Sequence, residues 1–138
     1  NDTKKVYSVL RCMVELGLGY LTLGQMSMSL SGGEAQRIKL AKALGTLSRG
    51  KSLYILDEPT SGLNEIDIDR FIKVLFSLQN KGETILIIEH NIEFIAKVAD
   101  YIIDFGVYGG DLGGKIVAQG KPRDVFAKKD SSLCGLDG

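Results

Sequence analysis

At 138 residues and 44% hydrophobic, the chain suits one globular domain that buries most of the surface its unfolded form would expose. Seventeen Lys and Arg balance seventeen Asp and Glu, which excludes the strongly basic footprint that announces nucleic-acid binding by itself, so any DNA contact is local or lies elsewhere. The cysteines, Cys12 and Cys134, fit neither a disulfide framework nor a zinc-ligand spacing and point to a reducing cytoplasm, while no apolar run approaches the roughly 18 residues that span a bilayer and the first residues lack the design of a signal peptide.

The first predicted element is a helix. In "TKKVYSVLRCMVELGLGY", Val6, Val9, Leu10, Met13 and Val14 recur at helical spacing before Gly17 and Gly19 stop it. Residues 20–32 read as a loop. From Glu34, "EAQRIKLAKAL" places Ala35, Ile38, Ala41 and Leu44 on one face, with Glu34 in the first turn where it complements the helix dipole. "LYILDEP" is a short apolar run that ends in two acids, as expected of a buried strand delivering carboxylates to its carboxyl edge.

A second helix-and-strand pair follows. Ile68, Phe71, Ile72, Leu75 and Leu78 form the helical stripe of "IDIDRFIKVLFSLQN", and "ETILIIEH" is a second buried strand after the Gly82 turn. Ile92, Ile95, Ala96 and Ala99 mark a shorter helix, "YIIDF" a third strand, "KIVAQG" a fourth, and "KPRDVFA" a short helix opened by Pro122. Helices between continuous apolar strands imply an α/β fold with a mostly parallel sheet flanked by helices.

"GTLSRGKS", from Gly45 to Ser52, matches the phosphate-loop pattern letter for letter. Such a loop needs a strand before it and a helix after it, because the helix amino end supplies free N–H groups to the phosphates. Here the order is reversed, so Gly45 reads as a helix end, Gly50 as part of a turn and Lys51 as a solvated residue. No other stretch matches, and the chain lacks a phosphate loop.

Three motifs do sit in fitting contexts. In "LSGGEAQRIKL", Ser31, Gly32 and Gly33 precede a helix, where exposed backbone N–H groups favour an anion; read alone, Ser31 is equally an N-cap beside flexible glycines. "LYILDEPT" sets Asp57 and Glu58 side by side at a strand end, suited to a metal-bound water and to the activation of an attacking water respectively, although an acidic pair by itself is more often a solvated loop start. "ILIIEHN" places the chain's one histidine, His90, at the carboxyl end of the next strand, the edge where ligands bind in parallel sheets.

The ordered set "LSGG", "LDEPTSGL" and "IIEH" resembles the ATP-binding cassette (ABC) ATPase family. The resemblance implies a signature motif at Leu30–Glu34, a Walker B strand at Leu53–Glu58, a D-loop at Ser61–Asn64 and a switch histidine at His90. It divides the chain into a helical signature segment, 1–50, and a Walker B, D-loop and switch half, 51–138. "GLGYLTLGQ", "IIEHNIEFIAKVADYIIDFG" and "GGDLGGKIVAQGKP" narrow the resemblance to the UvrA family, carboxyl-terminal part of the second cassette. Asn64, where that family usually has His, and Val107–Tyr108, where it usually has Pro-Glu, depart from its pattern. A UvrA-like paralogue in drug tolerance and a transporter-type ABC subunit are the alternatives.

What the resemblance implies is ATP hydrolysis with Mg2+. Asp57 would position the metal's water, Glu58 would be the catalytic base, and His90 would contact the γ-phosphate. Ser31, Gly32, Gly33, Glu34 and Asn64 would face nucleotide, the signature acting on an ATP held by another cassette. Implied partners are the other cassette of the same chain, a homodimer mate, and DNA and UvrB through other parts of the parent. No zinc site belongs to this segment, no membrane is involved, and the setting is cytoplasmic.

Overall fold

The computed structural model describes residues 2–45, 51–106, 114–128, 131 and 133. Cys134, Gly50 and the Val107–Tyr108 departure lie outside them. The chain divides into two compact units, residues 1–91 and 92–138.

The first unit opens with α1 (Asp2–Glu15), which ends as expected before Gly17, where φ is 74°. Its apolar stripe is less buried than the spacing predicts. Val6, Leu10 and Val14 are exposed, and burial begins at Leu16 and Leu18 just past the helix. A 3-10 turn at Ser27–Ser29 interrupts the expected loop, and α2 runs Gly32–Gly45, two residues earlier than Glu34.

The buried face of α2 is Gly33, Arg37, Leu40 and Ala41, whereas Ala35 and Ile38 are only half-buried. The predicted stripe is therefore turned toward Arg37. Counting apolar side chains misses such a face, because a charged residue is buried on it with hydrogen-bond partners.

β1 (Leu53–Asp57) and β2 (Thr84–Ile88) pair in parallel, Leu53 opposite Thr84 and Asp57 opposite Ile88. They are connected through α3 (Glu65–Asn80), as a parallel pair requires. Phe71, Ile72, Val74, Leu75 and Leu78 make the inner face of α3. Its end is a Schellman arrangement: Glu83 N donates to Leu78 O, Gly82 N donates to Gln79 O, and Gly82 adopts φ 78°.

The two strands were expected to be buried on both faces and are not. Leu56 is buried, but Leu53, Ile55, Leu86 and Ile88 on the opposite face are at least half exposed. No element among the described residues covers that face.

The second unit holds α4 (Ile92–Val98), β3 (Ile102–Asp104), β4 (Ala118–Gly120) and α5 (Pro122–Phe126). Ile102, Ala118, Val125, Phe126 and Leu133 form its core, with Ile92, Ile95 and Ala99 packed against it. β3 and β4 pair antiparallel, which departs from the parallel expectation. Gly106 and Gly114 both adopt φ 73°, and Val117 N donates to Asp104 O at 2.8 Å. Asp104 is buried and its carboxylate accepts from Gly106 N and Ser131 Oγ. No helix of the described residues is long and apolar enough to cross a membrane.

Candidate functional site

The parallel register sets the carboxyl ends of β1 and β2 side by side, so Asp57 and Glu58 emerge next to Glu89 and His90. Glu58 N donates to Ile88 O at 2.8 Å, one rung beyond the strand pair. Glu58 then adopts φ 45°, the only non-glycine in the left-handed region among the described residues. That conformation costs on the order of 1–3 kcal/mol and persists only where the surroundings over-determine it. It turns the Glu58 carboxylate toward His90, with Oε1 3.7 Å from Nδ1, and both side chains are largely exposed.

Helix α2 holds the other edge of the strand end. Gln36 Nε2 donates to Asp57 O at 2.8 Å and Asp57 N donates to Gln36 Oε1 at 3.0 Å, so a side-chain amide completes the backbone pairing that β2 does not supply. Arg37 Nη1 donates to Pro59 O at 2.8 Å and to Ser61 O at 3.1 Å. Burial pulls the Arg37 pKa down, while Tyr20, Glu34 and Asp67 act against that shift. A Cβ on Gly33 would stand 2.9 Å from Arg37 Nη1 and 3.1 Å from Ser61 O, so this glycine makes room for the guanidinium; a Cβ on Gly32 would meet nothing within 4 Å.

The start of α2 is a capping box. Ser31 Oγ accepts from Glu34 N at 3.2 Å, and Glu34 Oε2 accepts from Ser31 N at 2.7 Å. Tyr20 donates its hydroxyl proton to Glu34 Oε1. The Tyr20 hydroxyl first, and the Ser31 N–H second, hold the Glu34 carboxyl below the usual range. Ser31 and Glu34 therefore bond each other, and Gly32 is the open position of the motif. Asn64 is likewise engaged locally: its Oδ1 accepts from Asp67 N and its Nδ2 donates to Asp67 Oδ2, capping α3.

A cavity of about 510 Å³ between α1 and α3 is lined by Arg11, Cys12, Arg70, Lys73 and Lys81 among others, and by none of the motif residues. The candidate site is thus an open strand edge and not a closed pocket. The apparent phosphate loop sits in the reversed setting expected of it, with α2 ending at Gly45 and β1 beginning at Leu53.

No protein-family model matches the chain. UvrABC system protein A of Rickettsia bellii (strain RML369-C) is 56% identical over 126 residues, which are 91% of this chain and 13% of that protein. For the same protein of Staphylococcus aureus (strain COL) the identity is 56% over 127 residues, 92% of this chain and 13% of that one. The chain is a segment homologous to UvrA.

It spans about 13% of the length of these UvrA relatives. The crystal structure of UvrA2 from Deinococcus radiodurans matches with a TM-score of 0.81 at 41% identity, covering 95% of this chain and 16% of that one. An ATP-binding cassette of an ABC transporter in its ADP conformation matches with a TM-score of 0.57 at 23% identity, covering 92% of this chain and 48% of that one, a likeness of fold alone. The architecture is part of an ABC ATPase fold, helices around a small parallel sheet.

In this UvrA-homologous segment the residues fit a magnesium ion of the kind that nucleotide sites use. Such an ion takes one or two carboxylates, waters and phosphates in place of an all-protein cage. The described residues contain no group of three or more potential metal ligands, whereas Asp57 offers one exposed carboxylate on a backbone fixed by Gln36. Gln36, Arg37, Thr60 and Glu89 are the site neighbours that sequence reasoning missed. An acid directly after the apolar run "ILII" was the available signal for Glu89; for Arg37 the signal was its position three and four residues before Leu40 and Ala41.

Proposed function

We propose that this segment supplies the signature motif, Walker B strand and switch histidine of an ATP-hydrolysing cassette in a UvrA-type DNA-damage-recognition protein of nucleotide excision repair. The observation that carries this reading is Glu58, set in a left-handed backbone conformation at the end of β1 with its carboxylate 3.7 Å from His90. A general base needs a fixed position and an accessible carboxylate, and Glu58 has both.

Glu58 takes a proton from the attacking water as its oxygen bonds to the γ-phosphorus and the bond to the bridging β–γ oxygen breaks. His90 contacts the γ-phosphate beside it. Asp57 would hold magnesium through water, and the ion would supply charge neutralisation on the phosphate oxygens. Backbone N–H groups at Gly32 and Gly33, with Ser31, reach the γ-phosphate of an ATP held by the opposite cassette and stabilise charge from fixed dipoles. Glu34 braces that motif from within, and Asn64 carries the D-loop into α3 near the shared nucleotide. Hydrolysis gates DNA engagement and hand-over to UvrB through other parts of a dimeric, cytoplasmic parent. A second reading, a UvrA-like paralogue, draws on the likeness to UvrA2; binding of damaged against undamaged DNA by the full-length protein separates the two.

Glu58→Gln in the full-length protein tests the core of the proposal. ATP binding is retained and turnover falls by roughly 10²-fold or more, the scale of general-base loss. Hydrolysis at the unsubstituted rate removes Glu58 from that role.

A further inference from the structure

Of Asp57, Glu58 and Glu89, the acids at the carboxyl ends of β1 and β2, Glu89 alone is not exposed. Its side chain is 2% accessible, against 80% for His90 and 59% for Glu58. A carboxylate is taken out of water at a high cost unless its oxygens find donors, and here both do. Oε1 accepts from Thr60 N at 3.1 Å and from the Thr60 hydroxyl. Oε2 accepts from His90 N at 2.8 Å and Asn91 N at 3.1 Å. The donors belong to two different loops: Thr60 lies two residues after Glu58, and His90 carries the imidazole.

We propose that Glu89 is a positioning residue for nucleotide hydrolysis, a buried carboxylate that locks the backbone of His90 to the loop after Glu58 and so fixes the imidazole against the Glu58 carboxylate. The inference rests on the reading of Glu58 and His90 as the hydrolytic pair. Both of those side chains are too exposed for packing to place them. Their relative position must come from the main chain beneath, and Glu89 is the group that joins the two main-chain segments. The strained turn at Glu58 needs restraint on both sides. Gln36 and Arg37 provide it from α2, and Glu89 provides it from the residue just after β2.

Glu89→Gln keeps the shape, but its amide nitrogen can only donate, so it faces either the Thr60 donors or the His90 and Asn91 N–H groups unfavourably. Because Glu89 Oε2 also stands 3.8 Å from His90 Nδ1, that change removes a charge near the imidazole as well. Thr60→Val removes the hydroxyl bond of the link, keeps the Thr60 N–H bond and leaves the charge, and Thr60→Ser restores the hydroxyl. Steady-state ATPase of the full-length protein is measured for these variants, for His90→Ala and for each of the first two combined with His90→Ala. Glu89→Gln and Thr60→Val lower kcat by about 10-fold or more with KM changed by less than about 3-fold, as for an effect on the chemical step and not on binding. Thr60→Ser stays within about 2-fold of the unsubstituted protein, and each double variant within about 2-fold of His90→Ala, because residues acting as one unit are not additive. Full kcat in Glu89→Gln and Thr60→Val, or effects that multiply with that of His90→Ala, overturns the inference while leaving the hydrolytic pair intact. If His90→Ala itself turns over at the unsubstituted rate, the reading of the pair fails first. Should Glu89→Gln not fold, Thr60→Val and its combination with His90→Ala carry the same comparison.

Discussion

Gly32 and Gly33 are adjacent in sequence but differ in what their missing side chains allow. Gly33 is filled around by Arg37 and Ser61, and Gly32 faces open space. Gly33→Ala is therefore expected to displace the buried guanidinium and to destabilise the segment by about 1–3 kcal/mol, as overpacking does. Gly32→Ala leaves stability unchanged or raised by up to about 1 kcal/mol, through helix propensity. Hydrogen exchange of the α2 amides in the full-length protein reads both, and equal protection in the two variants contradicts the assignment. Glu89 gives a pH-dependent counterpart. Burial pushes its carboxyl up, but the Thr60 hydroxyl and the N–H groups of Asn91, His90 and Thr60 outweigh it and hold the pKa below the usual range. A depressed carboxylate contributes stability in full above its unfolded value of about 4.3 and loses it as pH falls through the folded value. The stability gap between the unsubstituted protein and Glu89→Gln, from denaturant unfolding, thus narrows as pH drops below that region. A gap that is constant with pH counts against the carboxylate as its source.

At the scale of elements, the first letter of the apparent phosphate loop has a packing explanation. A Cβ on Gly45 would stand 2.4 Å from Val9 Cγ2 and 3.0 Å from Val9 Cα, so the end of α2 needs a glycine to let α1 approach. Gly45→Ala is expected to cost about 1–3 kcal/mol despite the better helix propensity of Ala. Equal or higher stability on thermal or denaturant unfolding would remove this close approach. Other parts of the helical design were readable: Pro122 opens α5, Gly82 ends α3, and four of the five predicted stripe positions of α3 are buried, with Val74 added and Ile68 half-buried. The buried face of α2 was not readable, because Arg37 is buried through carbonyls of Pro59 and Ser61 that are 22 and 24 residues away.

At the scale of the whole chain, the absence of a phosphate loop from the sequence makes a direct prediction. These 138 residues alone bind ATP weakly and do not turn it over. Magnesium-dependent turnover on the order of 1 per second or more, ordinary for an enzyme, would show that the chain holds a complete site. The exposed sheet face of Leu53, Ile55, Leu86 and Ile88 agrees with a catalytic edge that is only partly walled.

The sequence by itself determined the order of elements, the family resemblance and the meeting of Asp57, Glu58 and His90. Each of those rests on local signals: periodicity within a helix, glycine and proline at ends, and two strands in parallel register whose last residues must emerge side by side. Only the tertiary structure decided which residues hold that edge in place. Gln36 on the backbone of Asp57, Arg37 on Pro59 and Ser61, and Glu89 on Thr60 are polar side chains held by acceptors and donors from other segments, with Glu89 also accepting from its neighbours His90 and Asn91. A polar side chain that bonds across the fold is specified by its partners, and for Gln36 and Arg37, as for Glu89 and Thr60, those partners lie more than twenty residues away along the chain.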